Sequence, residues 1–282
     1  PWIDDHTLVI SADENLFNVP FDLLPQPDAA EFRFLVDNVA LRYAISGTAW
    51  ATAAPLLEIS DAQPVRAAVM DVGLNRSLDI PRSTPDRRAD TPLPGARLET
   101  ASLLTLLRGQ HFARVSYVRN VTTRLFERRM QSRHDIVHLA THSFFDQDLP
   151  HNSGIIMAAP AVSRLLSGVA ADILSPAELA GMQVKANLLV LSSCESALRT
   201  GGSSAAFDFG VALGLSGVEH ALVSNWAVDD MATSEFMLRF YRELLSGLAP
   251  HEALRSAKLS FIREQSPLAN PRMWAGFVLM TV

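Results

Sequence analysis

Asn187-Leu-Leu-Val-Leu191-Ser-Ser-Cys194-Glu195 is an apolar run that breaks abruptly into two serines, a cysteine and a glutamate. An apolar run of strand length without alternation is the mark of a strand buried on both faces, as in a parallel sheet. A second stretch has the same grammar: Asp135-Ile-Val-His-Leu-Ala140 runs out into Thr141-His142-Ser143. Val65 to Val72, Ala113 to Val118, Ala221 to Trp226 and Gly276 to Met280 add further strand candidates.

Helical patterns separate these runs. Leu98, Leu103, Leu106 and Leu107 recur at helical spacing between Ala96 and Leu107. Further helices are expected over Asn120 to Gln131, Ala205 to Leu215, Met231 to Leu245 and Pro250 to Ile262. Ser175-Pro-Ala-Glu178 opens a short one, with Ser175 as cap, Pro176 at the first helical position and Glu178 closing a capping box. Strand–helix alternation implies an α/β fold with a mainly parallel sheet covered on both faces. Residues 1–62 are expected to form a smaller α/β lead-in subdomain, with short strands and turns over Leu8 to Ile10, Asn18 to Phe21 and Leu41 to Ile45 and a helix near Asp28 to Asn38. Residues 63–282 form the core, with loops or insertions near 75–95, 146–171 and 263–272 and no internal repeat.

Composition narrows the function. The 282 residues are 48% hydrophobic and carry a net charge of −6, enough apolar matter for a large core. Neither a nucleic-acid footprint of clustered Lys and Arg nor an apolar run of membrane-spanning length is visible. A single cysteine excludes a disulfide within the chain. No signal peptide is visible either, and the two together point to a reducing cytoplasm. Pro1 is no initiator, so the chain is read as part of something longer. The eight histidines show no metal-ligand spacing, and neither a metal nor a cofactor is expected.

The reactive side chains sit where ligands gather in open parallel sheets, beyond the carboxyl ends of strands. If the two quoted strands are parallel neighbours, His142 and Cys194 share one rim. A free thiol is only a few per cent thiolate at neutral pH, and an adjacent imidazole raises that fraction. The backbone N–H groups of Ser143 and Cys194 are candidate donors to an oxyanion. A lone cysteine is more often an inert core residue and a lone histidine a structural one. His138, four residues before His142 and on the same face at period two, is expected to be buried. Spacing alone leaves both readings open.

His138-Leu-Ala-Thr-His142, Leu191-Ser-Ser-Cys-Glu195 and Ala221-Leu-Val-Ser-Asn-Trp226-Ala-Val228-Asp-Asp230 together resemble the CHAT family, caspase-like domains related to separases and often found beside tetratricopeptide repeats. Leu93-Pro-Gly-Ala-Arg-Leu-Glu99, Phe236-Met-Leu-Arg-Phe-Tyr241 and Glu252-Ala-Leu-Arg-Ser-Ala257 resemble its helices, and Asn18-Val-Pro-Phe21 and Tyr43-Ala-Ile-Ser46 its lead-in. The resemblance covers essentially the whole chain. It implies a cysteine endopeptidase, bacterial and cytoplasmic, with His142 as base and Cys194 as nucleophile. The partners implied are a protein substrate and an activating protein or repeat-containing sensor portion. The chain departs from the family pattern at Ser143, where most members carry glycine, and at Cys194-Glu-Ser-Ala197, where Cys-Glu-Thr-Gly is usual. The resemblance further implies a first specificity pocket at Ser192 and at Trp226 to Asp230. There Asp229 and Asp230 would favour a basic residue before the cleaved bond, unless they serve the N-terminus of the following helix. A catalytically silent assembly module is the other function carried forward. An α/β hydrolase lacks its Gly-x-Ser-x-Gly elbow.

Overall fold

A computed structural model of the chain describes residues 2–4, 7–11, 16–26, 32–60, 62–73, 94–144, 154–160, 171–193 and 205–282. Its strands are β1 (Trp2–Asp4), β2 (Thr7–Ile10), β3 (Ala40–Ala44), β4 (Val65–Asp71), β5 (Ala113–Arg119), β6 (His134–Thr141), β7 (Ser143–Phe144), β8 (Gly154–Ala158), β9 (Ala171–Leu174), β10 (Ala186–Ser193), β11 (His220–Ser224) and β12 (Phe277–Thr281). The helices are α1 (Gly47–Thr52), α2 (Pro94–Arg108), α3 (Thr123–Met130), α4 (Pro176–Ala180), α5 (Ala205–Ser216), α6 (Asp230–Leu245) and α7 (Pro250–Ile262).

Nine strands form one sheet in the order β1-β2-β3-β12-β11-β10-β6-β4-β5, with β5, β4, β6, β10 and β11 all parallel. Four of these five strands are the apolar runs of the sequence, and Ile136, Val137, Leu139, Leu188, Leu189 and Val190 are all buried; β5 is the partly exposed edge. Right-handed crossovers decide the faces. The step from β4 to β5 runs one way along the sheet, and the steps to β6, β10 and β11 run the other. Helix α2 therefore lies on the face opposite α3, α4 and α5, and it packs against α6. The strand order reverses between β4 and β6, the switch point at which such sheets open a crevice.

Residues 1–62 add β1, β2 and β3 to this same sheet, through the parallel pairing of β3 with β12. Of the runs expected as short strands and turns, Asn18 to Phe21 is the junction of two 3₁₀ turns, Leu16–Asn18 and Phe21–Leu23, where Pro20 lacks the N–H a ladder needs. One expectation in that segment fails. The described part of the expected helix near Asp28 to Asn38 holds only the 3₁₀ turn Leu35–Asp37. Phe34 is instead bridged to Pro25, and its N–H donates to the Asp37 carboxylate at 2.8 Å. Residues 28–31 of that helix, and the loop expected over 75–95 up to residue 93, lie outside the described residues.

Candidate active site

Strands β6 and β10 are parallel neighbours in unbroken register from Leu188↔Ile136 to Ser193↔Thr141. The last pair brings both strands to the rim at the same level. His142 follows directly on one side. Cys194 is next in sequence after Ser193, and it lies outside the described residues, as do residues 195–204.

The backbone of His142 is fixed by a second, three-stranded sheet, β7-β8-β9. Its carbonyl accepts from Ile156 N–H at 2.8 Å, and the Thr141 hydroxyl donates to the Ile156 carbonyl at 2.5 Å. Ser143 pairs with Ile155 in antiparallel register. His142 and Ser143 are each 1% exposed, so the histidine end of the rim is closed to solvent. This small sheet occupies the described part of the stretch expected as a loop over 146–171. Its residues Gly154 to Ala158 are all buried under their neighbours.

The four residues expected to line a specificity pocket fall in three places. Ser192 is buried in β10, and its hydroxyl donates to the Glu99 carboxylate of α2 at 2.9 Å. The Trp226 ring N–H donates to the Arg272 carbonyl at 3.0 Å, which holds the indole against the segment leading into β12. Asp229 is exposed and caps α6, with Oδ1 accepting from the N–H groups of Met231 and Ala232 at 3.0 Å. Asp230 reaches across to α2. Its two oxygens accept from the N–H groups of Gly95 and Ala96, two of the four that open a helix without partners. Burial pushes the Asp230 carboxyl above its ordinary range, against those two hydrogen bonds, and the nearby Glu99 and Asp229 charges push the same way.

Sequence reasoning missed two residues beneath the rim. Glu99 Oε1 lies 2.8 Å from His138 Nε2, and His138 Nδ1 lies 3.1 Å from the Tyr241 hydroxyl of α6. Burial first, and the Glu99 charge second, push the Tyr241 phenol well above its usual range. A signal for Glu99 was present: it stands four and eight residues before Leu103 and Leu107, on the buried stripe of α2.

At the switch point lies a cavity of about 220 Å³, lined by Asp71, Thr100, Tyr117, Arg119 and Thr141 among others. The Tyr117 hydroxyl donates to Asp71, and burial with that bond pushes the phenol up to about 12. Among the described residues no group of three or more His, Cys, Asp or Glu is placed to hold a metal, and no helix is long and apolar enough to cross a membrane.

The sequence profile of the CHAT domain matches residues 3–281. The chain belongs to the CHAT domain family. Two curated relatives are the human and mouse proteins named tetratricopeptide repeat protein 28. The human one is 29% identical over 134 residues, 48% of this chain and 5% of the relative. The mouse one is 29% identical over 108 residues, 38% of this chain and 4% of the relative. The chain thus spans a small fraction of the relatives it matches. Among solved structures, the Saccharomyces cerevisiae separase–securin complex superimposes with a TM-score of 0.57, covering 97% of this chain and 15% of that one at 10% identity. The CHAT chain therefore has the caspase-like α/β fold expected from its motifs.

Proposed function

We propose that this CHAT domain is a cysteine endopeptidase acting on a protein substrate, with His142 as general base and Cys194 as nucleophile. The observation that carries the reading is the Thr141↔Ser193 register, which ends both strands at one level of the rim. His142 takes the thiol proton, and the thiolate forms a bond to the peptide carbonyl carbon. The oxyanion is met by the backbone N–H groups of Ser143 and Cys194. The C–N bond then breaks as the imidazolium returns its proton to the leaving amine. Water, deprotonated by His142, then attacks the acyl carbon, the C–S bond breaks to release the acid, and the imidazolium returns the proton to the thiolate.

The burial of His142 and Ser143 supports regulation, because a substrate cannot reach this rim until the closed arrangement yields. An activating protein or a repeat-containing sensor portion is the proposed trigger, in keeping with the names of the curated relatives. A basic residue before the cleaved bond remains the proposed preference, and it rests on Asp229. That carboxylate is exposed and uses only Oδ1 in capping α6, whereas both oxygens of Asp230 are engaged by α2.

The test is a panel of fluorogenic peptides together with the neighbouring gene products as substrates. Cys194→Ala and His142→Ala are expected to abolish cleavage while leaving the circular dichroism spectrum unchanged. Undiminished cleavage by either variant would refute the dyad, and efficient cleavage only after Asp or apolar residues would refute the basic preference. The second reading, a catalytically silent assembly module, draws on the same burial of His142 and on the Ser143 side chain. It predicts a Cys194 that alkylates no faster than a free cysteine.

A further inference from the structure

One side chain joins the two strands that carry the proposed dyad. Glu99 of α2 is 2% exposed, and each of its carboxylate oxygens meets a different strand. Oε1 takes the His138 Nε2 contact from β6 at 2.8 Å, and Oε2 accepts the Ser192 hydroxyl of β10 at 2.9 Å. His138 is four residues before His142, and Ser192 is two before Cys194. Val190 pairs with His138 across the two strands, and side chains two apart on a strand share a face, so His138 and Ser192 lie on one face of the sheet and Glu99 grips both strands from it. The far side of His138 is held by the Tyr241 hydroxyl at 3.1 Å, and this ties α6 into the same cluster.

A carboxylate buried this deeply is costly without partners close by, so moving His138 or Ser192 away from Glu99 is disfavoured. Backbone hydrogen bonds fix the spacing of β6 and β10. They do not fix how far each strand end leans toward α2, and a thiol–imidazole pair needs its groups held to within about 0.5 Å. The geometry points to Glu99 as the positioning residue of the site: by holding His138 and Ser192 together it sets the approach of His142 to Cys194. This inference rests on the dyad reading. Glu99 itself touches no substrate.

The chain has one cysteine, so the rate of iodoacetamide alkylation reports on Cys194 alone and needs no known substrate. The experiment follows that rate against pH for the wild-type chain, His142→Ala, Glu99→Gln and Tyr241→Phe, with circular dichroism and thermal melts alongside. The wild type is expected to show an inflection below the ~8.5 of a free thiol. Glu99→Gln replaces one acceptor by a donor at nearly constant volume. It is expected to raise the inflection by about one unit, which is about ten-fold less thiolate on the acidic limb. Tyr241→Phe deletes only the hydroxyl behind His138 and is expected to shift the inflection the same way by less.

A residue that merely stabilised the fold would lower the melting temperature and leave the inflection in place. An unshifted inflection in folded Glu99→Gln overturns the proposal. If that variant does not fold, an unshifted inflection in Tyr241→Phe does so instead. A wild type that already matches His142→Ala near the free-thiol value removes the dyad, and the positioning role goes with it. The two failures are therefore told apart by which chain departs from expectation.

Discussion

His220 opens β11 fully buried, with both ring nitrogens engaged. Its Nε2–H donates to the Ala54 carbonyl at 3.1 Å, and its Nδ1 faces the Thr281 hydroxyl at 3.5 Å. Burial, with the Arg42 charge adding to it, lowers this imidazole from 6.5 to about 4. The unfolded chain therefore takes up a proton that the folded chain refuses. Stability from this group is full above pH 6.5 and drains away as pH falls toward 4, at a limiting slope of about 1.4 kcal/mol per pH unit. His220→Gln is expected to flatten urea-derived stability across that window, and an unchanged slope would assign the acid sensitivity to other groups. At this scale the sequence was readable where position spoke: β6 ends at Thr141 and β10 at Ser193, paired at one level, as the two apolar runs implied. Glu99 was not readable, because a carboxylate on an apolar stripe has no meaning until the partners from β6 and β10 are in place.

Elements were legible in proportion to how much of their order is local. The cap of α4 was readable because Ser175 and Glu178 satisfy each other within one turn, at 3.2 Å and 2.9 Å. The apolar strands were readable because burial on both faces removes alternation. Strand β8 was not: Gly154-Ile-Ile-Met-Ala158 is extended only because β7 and β9 flank it. The start of α2 is another non-local feature. A Cβ on Gly95 would lie 2.2 Å from the Asp230 carbonyl oxygen, so backbone and helix meet there at a distance that only glycine allows. Gly95→Ala is expected to cost about 1–3 kcal/mol through this overlap, read as a lower denaturant midpoint with an unchanged m-value. A variant as stable as the wild type would mean that α2 and α6 separate without penalty. The face of α2 was also partly misjudged. Leu98 is 51% exposed, and the buried stripe runs through Glu99, Leu103 and Leu107.

Across the molecule, the amino-terminal strands are bound to the core by more than the sheet. Lys258 of α7 and Asp22 form an ion pair at 2.8 Å with 2% and 1% of their side chains exposed. Burial lowers the Lys258 amine, although the Asp22 charge pulls the other way. Lys258→Met strands a carboxylate in the interior and is expected to destabilise the chain by about 3–5 kcal/mol. The double variant with Asp22→Asn should recover part of that loss in thermal melts, and no recovery would mean that the lysine acts by packing alone. Strand–helix alternation made the α/β class visible from the sequence. The joining of β3 to β12, residues more than two hundred positions apart, left no local trace. The cap that Asp230 supplies to α2 comes from 135 positions downstream of Gly95. Helix α2 therefore takes the cap of its first turn from the far half of the chain. A cut anywhere between α2 and α6 would leave the carboxylate that seats this turn on the other fragment, so α2 would be capped at its start only once the two fragments had reassociated.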